Sequence, residues 1–314
     1  MTMKRLFGFG INTFANPMSN LSGCVNDTAN VRRFCVDSLN VDPREIRLLC
    51  DARATRLNIF KRLDWCARGW GVPGDKLSPE HDQLIIQMSC HGSQVVDRNG
   101  DEVTDMQDEV ICPYDYPDLW DSPGSGVDVE DCALFLGQMP SPQICDDDIA
   151  TFLKRIPVGV YTVIIVDACH SGSMTRTLTP APAVTKAVSP PLDLLSRGLD
   201  RALRTRKFGV KPGSVIRDIG NNDVIFMEQN HILISGCRDN QTSADATISG
   251  MPQGAMTWAL LESFKALGFG KSSQNPTWVD IHGHMVNLLK NSGFSQVPQL
   301  SGPENWLKEP AFFV

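Results

Sequence analysis

Two short motifs contain the residue types that a thiol nucleophile and its base require. Ser89-Cys90-His91-Gly92 and Asp167-Ala168-Cys169-His170-Ser171-Gly172 each follow an apolar run that is typical of a buried strand. Because ligands bind beyond the carboxyl ends of parallel strands, we expect His91 and Cys169 to face one crevice. There the imidazole can exchange a proton with the thiol, and backbone N–H groups can stabilise an oxyanion. The spacing alone leaves open the alternative that both are ordinary strand-end residues.

The neighbours of this pair have other expected roles. Gly92 and Gly172 lack a Cβ atom, so the backbone can approach a substrate closely at both motifs. Cys90 and His170 point to the opposite side of an extended chain from the residues beside them. We therefore expect structural roles for Cys90 and His170.

Apolar strand-type runs alternate with segments of helical periodicity, which is typical of a parallel α/β sheet. Strands are predicted at Arg5–Ile11, Ile46–Cys50, Leu84–Ser89, Tyr161–Val166, His231–Ser235 and Val297–Leu300. Helices are predicted from Asp27 to Leu39, after an N-cap at Thr55, near Asp148–Ile156, over Gly254–Leu267 and over Trp278–Lys290. This order predicts an α/β fold in which a mostly parallel central β-sheet is flanked by helices on both faces.

The composition excludes several classes of protein. The 314 residues are 42% hydrophobic and 21% charged, which is ordinary for a globular chain, and the formal net charge of −7 argues against a nucleic-acid partner. The longest apolar run, Val158–Val166, is far shorter than the roughly 20 residues of a membrane helix. No signal-peptide pattern follows Lys4 and Arg5, and the ten cysteines include no C-x-x-C pair. We expect a cytoplasmic protein with reduced, mostly structural thiols and no membrane segment.

Two segments differ in charge from the rest of the chain. Residues 93–148 carry fifteen acidic side chains and one basic side chain, whereas residues 174–222 carry nine basic and three acidic side chains. The second segment, which we call the linker, also contains prolines, among them Pro180, Pro182, Pro190 and Pro191, and is expected to be an exposed, mobile connection. Solvated loops would account for most residues of both segments.

Six ordered motifs resemble those of the metacaspases, caspase-fold cysteine peptidases of clan CD, type I in particular. The similarity covers residues 4–172 and 223–302 and rests on Leu21–Asp27, Ser89–Gly92, Asp108–Asp115, Asp167–Gly172, Ser235–Asp245 and Gly254–Thr257. The resemblance implies the caspase fold, with His91 and Cys169 as the catalytic dyad. It also implies that the N–H groups of Gly92 and Cys169 form the oxyanion hole. No third catalytic acid is evident.

The resemblance places the pocket for the residue before the cut bond, the P1 residue, on Cys24, Asp27, Ser89 and Asp167. Buried carboxylates compensate the desolvation of a cation, so Asp27 and Asp167 predict Arg or Lys at P1. Ser89 would add a hydrogen bond. A pocket for Asp would need Arg, which none of these positions has. The alternative role for Asp27 is the N-cap of the first helix.

The resemblance also implies an activating calcium ion near the active site. The resemblance places this calcium site at Asp108, Asp146 and Asp147. Carboxylate oxygens are ligands that Ca²⁺ prefers. Arg176 stands where the family has a fourth acidic residue, and its positive charge would weaken the site. We expect calcium-stimulated activity. Nearby, Asn99-Gly100 predicts a hairpin turn.

We expect three regions within one caspase-fold domain. Residues 1–173 resemble a large subunit with the dyad, residues 174–222 are the basic linker, and residues 223–314 resemble a small subunit. A peptidase that cuts after Arg or Lys can cleave itself in such a linker, where Arg201–Lys207 is the densest basic cluster. The other interpretation of the linker is a patch for an anionic surface.

The sequence therefore predicts a cysteine endopeptidase that acts on proteins or peptides with Arg or Lys at P1, as a monomer by analogy with the family. The alternative is a non-catalytic caspase-fold scaffold or regulator. Intact Cys169, His91, Asp27 and Asp167 favour the enzyme, whereas Arg176 indicates altered regulation. A metal-binding protein that uses Cys and His is disfavoured by the spacing of these residues.

Overall fold

Thirteen strands form three sheets in the described part of the chain. The structure is a computed structural model that describes residues 2–14, 17–69, 74–79, 82–96, 107–116, 144–168, 183–186, 224–226, 230–238, 241–271 and 275–312. The strands are β1 (Lys4–Gly10), β2 (Ile46–Cys50), β3 (Gln83–Ser89), β4 (Gly92–Val96), β5 (Gln107–Ile111), β6 (Ile144–Cys145), β7 (Tyr161–Asp167), β8 (Ala183–Thr185), β9 (Val224–Phe226), β10 (Ile232–Ser235), β11 (Ala244–Ile248), β12 (Met251–Gly254) and β13 (Gln299–Gly302).

The central sheet has the strand order β2-β1-β3-β7-β10-β13-β9. The first five of these strands are mutually parallel, β13 is antiparallel to β10, and β9 is parallel to β13. Strands β3 and β7 are neighbours, and Ser89 pairs with Asp167 at their carboxyl ends. The two chemistry-bearing motifs therefore start side by side at one edge of a mostly parallel sheet, as predicted.

Helices cover both faces of this sheet. The described helices are α1 (Cys24–Asp37), α2 (Arg56–Arg68), α3 (Asp146–Leu153), α4 (Ala255–Ala266), α5 (Trp278–Asn291) and α6 (Glu304–Lys308). Residues of α1, α4, α5 and α6 pack in one hydrophobic core with Leu6 and Ile85 of the sheet. Residues of α2 and α3 pack in a second core with Phe7 and Ile86, which point to the opposite face. The predicted α/β class and its two helical layers are confirmed.

Two element boundaries differ from the prediction in an informative way. Helix α1 has Gly23 as its N-cap and begins at Cys24, so the alternative role of Asp27 as the N-cap is wrong. The last strand is two residues later than the predicted Val297–Leu300. Pro298 explains the later start, because proline has no N–H to donate to a ladder. The Thr55 N-cap of α2 is confirmed, since its side chain accepts a hydrogen bond from the Asn58 N–H.

Two small antiparallel sheets accompany the central one. Strands β4, β5 and β6 form the first, and residues 97–106 between β4 and β5, which include the predicted turn, lie outside the described residues. Strands β12, β11 and β8 form the second. Strand β8 belongs to the linker, of which the structure describes only residues 183–186. This short piece of linker pairs antiparallel with β11.

The described residues agree with the expected thiol chemistry. Seven cysteines are described as free thiols, and six of them are buried: Cys24, Cys35, Cys66, Cys90, Cys112 and Cys237. Cys90 is fully buried within the core, in keeping with a structural role. None of the described helices has the length and apolar character needed to cross a membrane.

Candidate active site

Three polar side chains converge where α1 meets the ends of β3 and β7. Ser89 and Asp167 are the last residues of their strands, and both are fully buried. Asp27 reaches them from the start of α1, and Ser89 Oγ donates a hydrogen bond of 2.7 Å to Asp27 Oδ2. We call Asp27, Ser89 and Asp167 the acidic pocket. The structure thus brings together three of the residues that the sequence analysis assigned to the P1 pocket.

Strand alternation explains why these residues meet. Side chains two positions apart share a face of the sheet, so Ser89 lies on the face of Ile85, which packs in the same core as α1. Asp167 likewise lies on the face of Val163 and Ile165, in that core. Each polar residue ends an apolar stripe, so the acidic pocket sits at the end of the core that α1 covers.

A basic side chain from the linker fills the acidic pocket. Lys186 Nζ lies 3.1 Å from Asp27 Oδ2, 2.9 Å from Ser89 Oγ and 3.2 Å from Asp167 Oδ1. An ammonium has three donors, and each has an acceptor here. Lys186 is fully buried, so the expectation of an exposed connection is wrong at this residue, whereas Val184 of β8 is exposed as expected. Two carboxylates make the burial possible, because they compensate the desolvation of the cation.

Main-chain hydrogen bonds hold Lys186 from two sides. The Gly92 N–H, predicted to belong to the oxyanion hole, donates to the Lys186 carbonyl oxygen at 3.0 Å. The Lys186 N–H donates to the Ser243 carbonyl oxygen, also at 3.0 Å. The preceding residues form β8, which pairs with β11. Lys186 therefore directly follows an extended strand, with its side chain in the acidic pocket and its carbonyl oxygen hydrogen-bonded to the Gly92 N–H.

The two carboxylates are themselves held in place. Ser243 Oγ donates to Asp167 Oδ1 at 2.7 Å, and Thr257 donates to Asp167 Oδ2 from its N–H at 2.9 Å and from its hydroxyl at 2.7 Å. The Gly254 N–H donates to Asp27 Oδ1 at 2.8 Å. Both carboxylates are thus oriented by hydrogen bonds that do not depend on Lys186.

Burial governs the acidity of the pocket. It raises the pKa of Asp27 to about 6, against the attraction of Lys186, and the neighbouring Asp167 adds to the rise. Burial also raises the pKa of the Cys24 thiol well above its ordinary value. Cys24, the fourth residue predicted for the P1 pocket, is therefore a neutral thiol beside these charges. The Asp27 carboxyl is poised to gain or lose its proton near pH 6.

His91 is buried, and one of its two ring nitrogens is hydrogen-bonded to a backbone carbonyl. Its Nε2 lies 2.6 Å from the Ser19 carbonyl oxygen, and a carbonyl only accepts, so Nε2 carries the proton of the neutral ring. Nδ1 then holds the lone pair, and it has no hydrogen-bond partner among the described residues. Burial lowers the pKa of His91 to about 4 and outweighs the smaller, opposite effect of the hydrogen bond to the Ser19 carbonyl. The ring, which packs on Phe14, is therefore a neutral base at pH 7.

Asp245 ties the loop before α1 to the strand that holds the linker. This buried residue of β11 accepts hydrogen bonds at its Oδ2 from the Ser22 N–H at 2.6 Å and the Gly23 N–H at 3.2 Å. The same loop carries Ser19, the partner of the imidazole. Asp245 thereby links the orientation of His91 to the position of β8.

The nucleophile predicted from sequence lies outside the described residues. Description of β7 and its continuation ends at Ala168, so Cys169, His170, Gly172 and Arg176 have no structural account. Ala168 is fully buried and directly precedes Cys169.

The backbones of the three predicted calcium residues lie near one another. Val110 of β5 pairs with Cys145 of β6 in antiparallel register, Asp108 precedes Val110 by two residues, and Asp146 and Asp147 directly follow Cys145. The side chains of the three acids are outside the described part. Among the side chains that are described, no group of three or more His, Cys, Asp or Glu could hold a metal ion.

Five residues around the pocket and imidazole escaped the sequence analysis. They are Ser19, Lys186, Ser243, Gly254 and Thr257. Three of them fall inside matched motifs, which was their only signal in the sequence. Ser19 acts through its carbonyl oxygen, which no side-chain pattern can indicate. Lys186 follows the short run Ala183-Val184-Thr185. The linker contains eight other basic residues, and the sequence does not indicate which of the nine enters the pocket.

Sequence comparison places this chain among proteins of related architecture. A family model described as Caspase domain matches residues 7–305. The chain is 28% identical to Metacaspase-1 of Scheffersomyces stipitis, covering 95% of this chain and 70% of that protein. It is 30% identical to Metacaspase-1 of Kluyveromyces lactis, covering 93% and 64%, and 28% identical to Metacaspase-1A of Neurospora crassa, covering 93% and 61%. It thus spans about two thirds of the length of these relatives.

Two crystal structures have a similar fold. One is a protein from Geobacter sulfurreducens, with a TM-score of 0.62 and 20% identity over 99% of each chain. The other is caspase-1 from Spodoptera frugiperda, with a TM-score of 0.51 and 9% identity, covering 100% of this chain and 92% of that one. At these identities the likeness concerns the fold alone.

The acidic pocket makes a prediction about stability. Lys186→Met removes the ammonium and leaves Asp27 and Asp167 without a compensating charge. We expect the free energy of unfolding to fall by about 3–5 kcal/mol at pH 8, and by clearly less at pH 5. Asp27, whose pKa is raised to about 6, is protonated at pH 5, and a neutral carboxyl needs no counter-ion. Urea unfolding at the two pH values measures this difference.

Lys308→Met is the matched control, because Lys308 pairs with Glu304 at 2.6 Å on the surface, where both side chains are more than half exposed. Its effect is expected to be small at both pH values. A loss of stability in Lys186→Met that is the same at pH 5 and pH 8 would contradict the role of Asp27 protonation.

Proposed function

The chain belongs to the caspase-domain family of cysteine peptidases, and from that premise we propose that it is a cysteine endopeptidase that cleaves proteins after Lys or Arg. One observation carries the proposal. The Lys186 ammonium sits in the acidic pocket while its carbonyl oxygen accepts from the Gly92 N–H. This is the arrangement that a bound P1 residue needs, because its side chain must be recognised and its carbonyl polarised at the same time. A pocket that holds lysine from its own linker has the chemistry to hold lysine from another protein.

The proposed reaction begins at the carbonyl carbon of the P1 residue. His91 Nδ1 accepts the proton of the Cys169 thiol, and Sγ attacks the carbonyl carbon to form a carbon–sulfur bond. The Gly92 N–H, together with the Cys169 N–H, stabilises the oxyanion. Collapse of this intermediate breaks the carbon–nitrogen bond, and His91 returns the proton to the leaving amine. Water then hydrolyses the thioester with Nδ1 as base, which restores the thiol and releases a carboxylate.

The environment of His91 suits this role. The Ser19 carbonyl keeps the ring proton on Nε2, so the lone pair stays on Nδ1. Burial holds the pKa of His91 near 4, so the ring is neutral at pH 7 and Nδ1 keeps its lone pair. A backbone carbonyl thus takes the orienting position that a carboxylate occupies in other triads.

The charge of the pocket favours a basic P1 residue. Asp27 and Asp167 face the ammonium of Lys186, and both are fully buried. An aspartate at P1 would place a third carboxylate in the same buried space without a compensating cation, which costs several kcal/mol. The pocket therefore supports cleavage after Lys or Arg and opposes cleavage after Asp.

A peptide panel tests the proposed function. With peptides that differ only at P1, we expect hydrolysis after Lys and Arg to exceed hydrolysis after Asp by at least about 100-fold, and Cys169→Ala to lose at least about 1,000-fold. The measurement is kcat/KM for each peptide. Faster turnover of the Asp peptide would contradict the specificity. Absence of turnover for every peptide would favour the non-catalytic scaffold.

We propose further that the Lys186–Ala187 bond is a self-cleavage site. Lys186 is already seated as a P1 residue, and the fully buried side chain blocks the pocket while the linker is intact. Cutting this bond frees the linker on its carboxyl side and lets Lys186 leave. The intact chain is thus a zymogen whose pocket is occupied by its own substrate.

Mass spectrometry of the incubated chain checks this site. We expect a fragment that ends at Lys186 and a fragment that begins at Ala187, neither of which forms in Cys169→Ala. Lys186→Ala removes both fragments, because a methyl group cannot bind two carboxylates. Arg204→Ala, in the densest basic cluster, is the matched control and retains them. Cleavage between positions 186 and 187 in Cys169→Ala, or in Lys186→Ala, would refute self-cleavage at this bond by the proposed route.

Calcium stimulation is part of the proposal as well. It is supported by the backbone proximity of Asp108, Asp146 and Asp147 and by the preference of Ca²⁺ for carboxylate oxygens. We expect hydrolysis of the Lys peptide to rise when a chelator is replaced by millimolar calcium, and the rise to disappear in Asp146→Asn/Asp147→Asn. Equal activity with chelator and with calcium would contradict it.

A further inference from the structure

Gly254 occupies the inner end of the acidic pocket. It is buried, ends β12 and is the N-cap of α4, with φ −69° and ψ 132°. These angles are open to any L-residue, so the backbone conformation does not require glycine here. The reason for glycine must therefore be space.

The space that a side chain would need is already filled. A Cβ atom on Gly254 would lie 2.6 Å from Asp27 Oδ2 and closer still to Asp167 Oδ2 and Lys186 Nζ. Real Cβ atoms essentially never approach a heavy atom within 3.0 Å. Both carboxylate oxygens and the ammonium thus lie in the volume that a methyl group would need.

The carboxylates have little freedom to make room. Asp167 Oδ2 is held by two hydrogen bonds from Thr257, and Asp27 Oδ1 by the N–H of Gly254 itself. Moving either carboxylate would break these bonds in a buried place, where unpaired polar groups are costly. The cation yields most easily, because it is the end of a flexible side chain, but its departure leaves the overlap with both carboxylate oxygens.

We propose that Gly254 is a specificity-determining residue that sets the depth of the P1 pocket, so that a side chain as long as lysine reaches both carboxylates. The effect on substrate choice rests on the proposed function, whereas the effect on the burial of Lys186 does not. It predicts that a methyl group at position 254 displaces the carboxylate oxygens towards the mouth of the pocket and so shortens the pocket. A basic side chain one methylene shorter than lysine, ornithine, then fits better than lysine itself.

Peptide hydrolysis measures the consequence for substrates. The assays use the full chain with Lys186→Ala, so that no linker lysine competes, and peptides that differ only in lysine or ornithine at P1. With Gly254 we expect the lysine peptide to have the higher kcat/KM. With Gly254→Ala the ratio of lysine to ornithine falls by about 10- to 100-fold, the range that one methylene group commands in a fitted pocket. An unchanged ratio would overturn the proposal.

Chemical labelling measures the same depth without any turnover. In the full chain with Cys169→Ala, an amine-reactive acetylating reagent should leave Lys186 protected, because the side chain is fully buried. In Cys169→Ala/Gly254→Ala, Lys186 can no longer seat, and we expect acetylation near the rate of the exposed Lys308. Continued protection of Lys186 in that variant would overturn the proposal even if no peptide is cleaved.

Gly283→Ala is the matched control for both experiments. Gly283 lies within α5, and a Cβ atom there would meet nothing within 4 Å. We expect this variant to keep both the lysine-to-ornithine ratio and the protection of Lys186. Iodoacetamide, which has no P1 side chain, should alkylate Cys169 at the same rate with Gly254 and with alanine there. Normal alkylation, a lost lysine preference and an exposed Lys186 together identify a shortened pocket rather than a misfolded chain.

Discussion

The buried ion pair between the Lys186 ammonium and two carboxylates is the interaction on which the site depends. Asp27 comes from α1, Asp167 from β7 and Lys186 from the linker, so one cation joins three distant parts of the chain. Neither the ammonium nor the carboxylates would be stable alone in this buried pocket, because the desolvation of an unpaired ion costs several kcal/mol. In the proposed function the pocket therefore requires a cation, and a substrate side chain that replaces Lys186 must supply it.

Strand pairing couples recognition to chemistry. Strand β8 pairs with β11 in antiparallel register, and Lys186 directly follows β8. The Lys186 side chain therefore enters the pocket while its carbonyl oxygen accepts a hydrogen bond from the Gly92 N–H. The loop that orients His91 through Ser19 is tied to β11 by Asp245. Strand β11 thus fixes the positions of three features: the side chain in the acidic pocket, the carbonyl on the Gly92 N–H, and the His91 imidazole. In the proposed function, a substrate that pairs with β11 in place of β8 would meet all three groups at once.

Much of the fold and part of the site could be predicted from sequence. Apolar periodicity located β3 and β7 as buried strands, and family resemblance placed Ser89 and Asp167 in one pocket, where the structure pairs them at the ends of these strands. The role of Asp27 as a pocket carboxylate, inferred from family resemblance, agrees with its burial, whereas its alternative as an N-cap is wrong because α1 begins at Cys24. Helix starts depend on contacts beyond the local sequence, and here the loop before α1 is held by Asp245.

The sequence by itself determined the chemistry available: a Cys and a His after neighbouring strands, two acids beside them, and a basic segment further on. Only the tertiary structure decided which of nine basic linker residues meets those acids, since Lys186 and Asp27 are 159 residues apart and no local pattern encodes their contact. The same holds for Gly254, whose missing Cβ has meaning only when Asp27, Asp167 and Lys186 surround it. Residue type sets what a group can bind, whereas packing sets which groups are close enough to bind it.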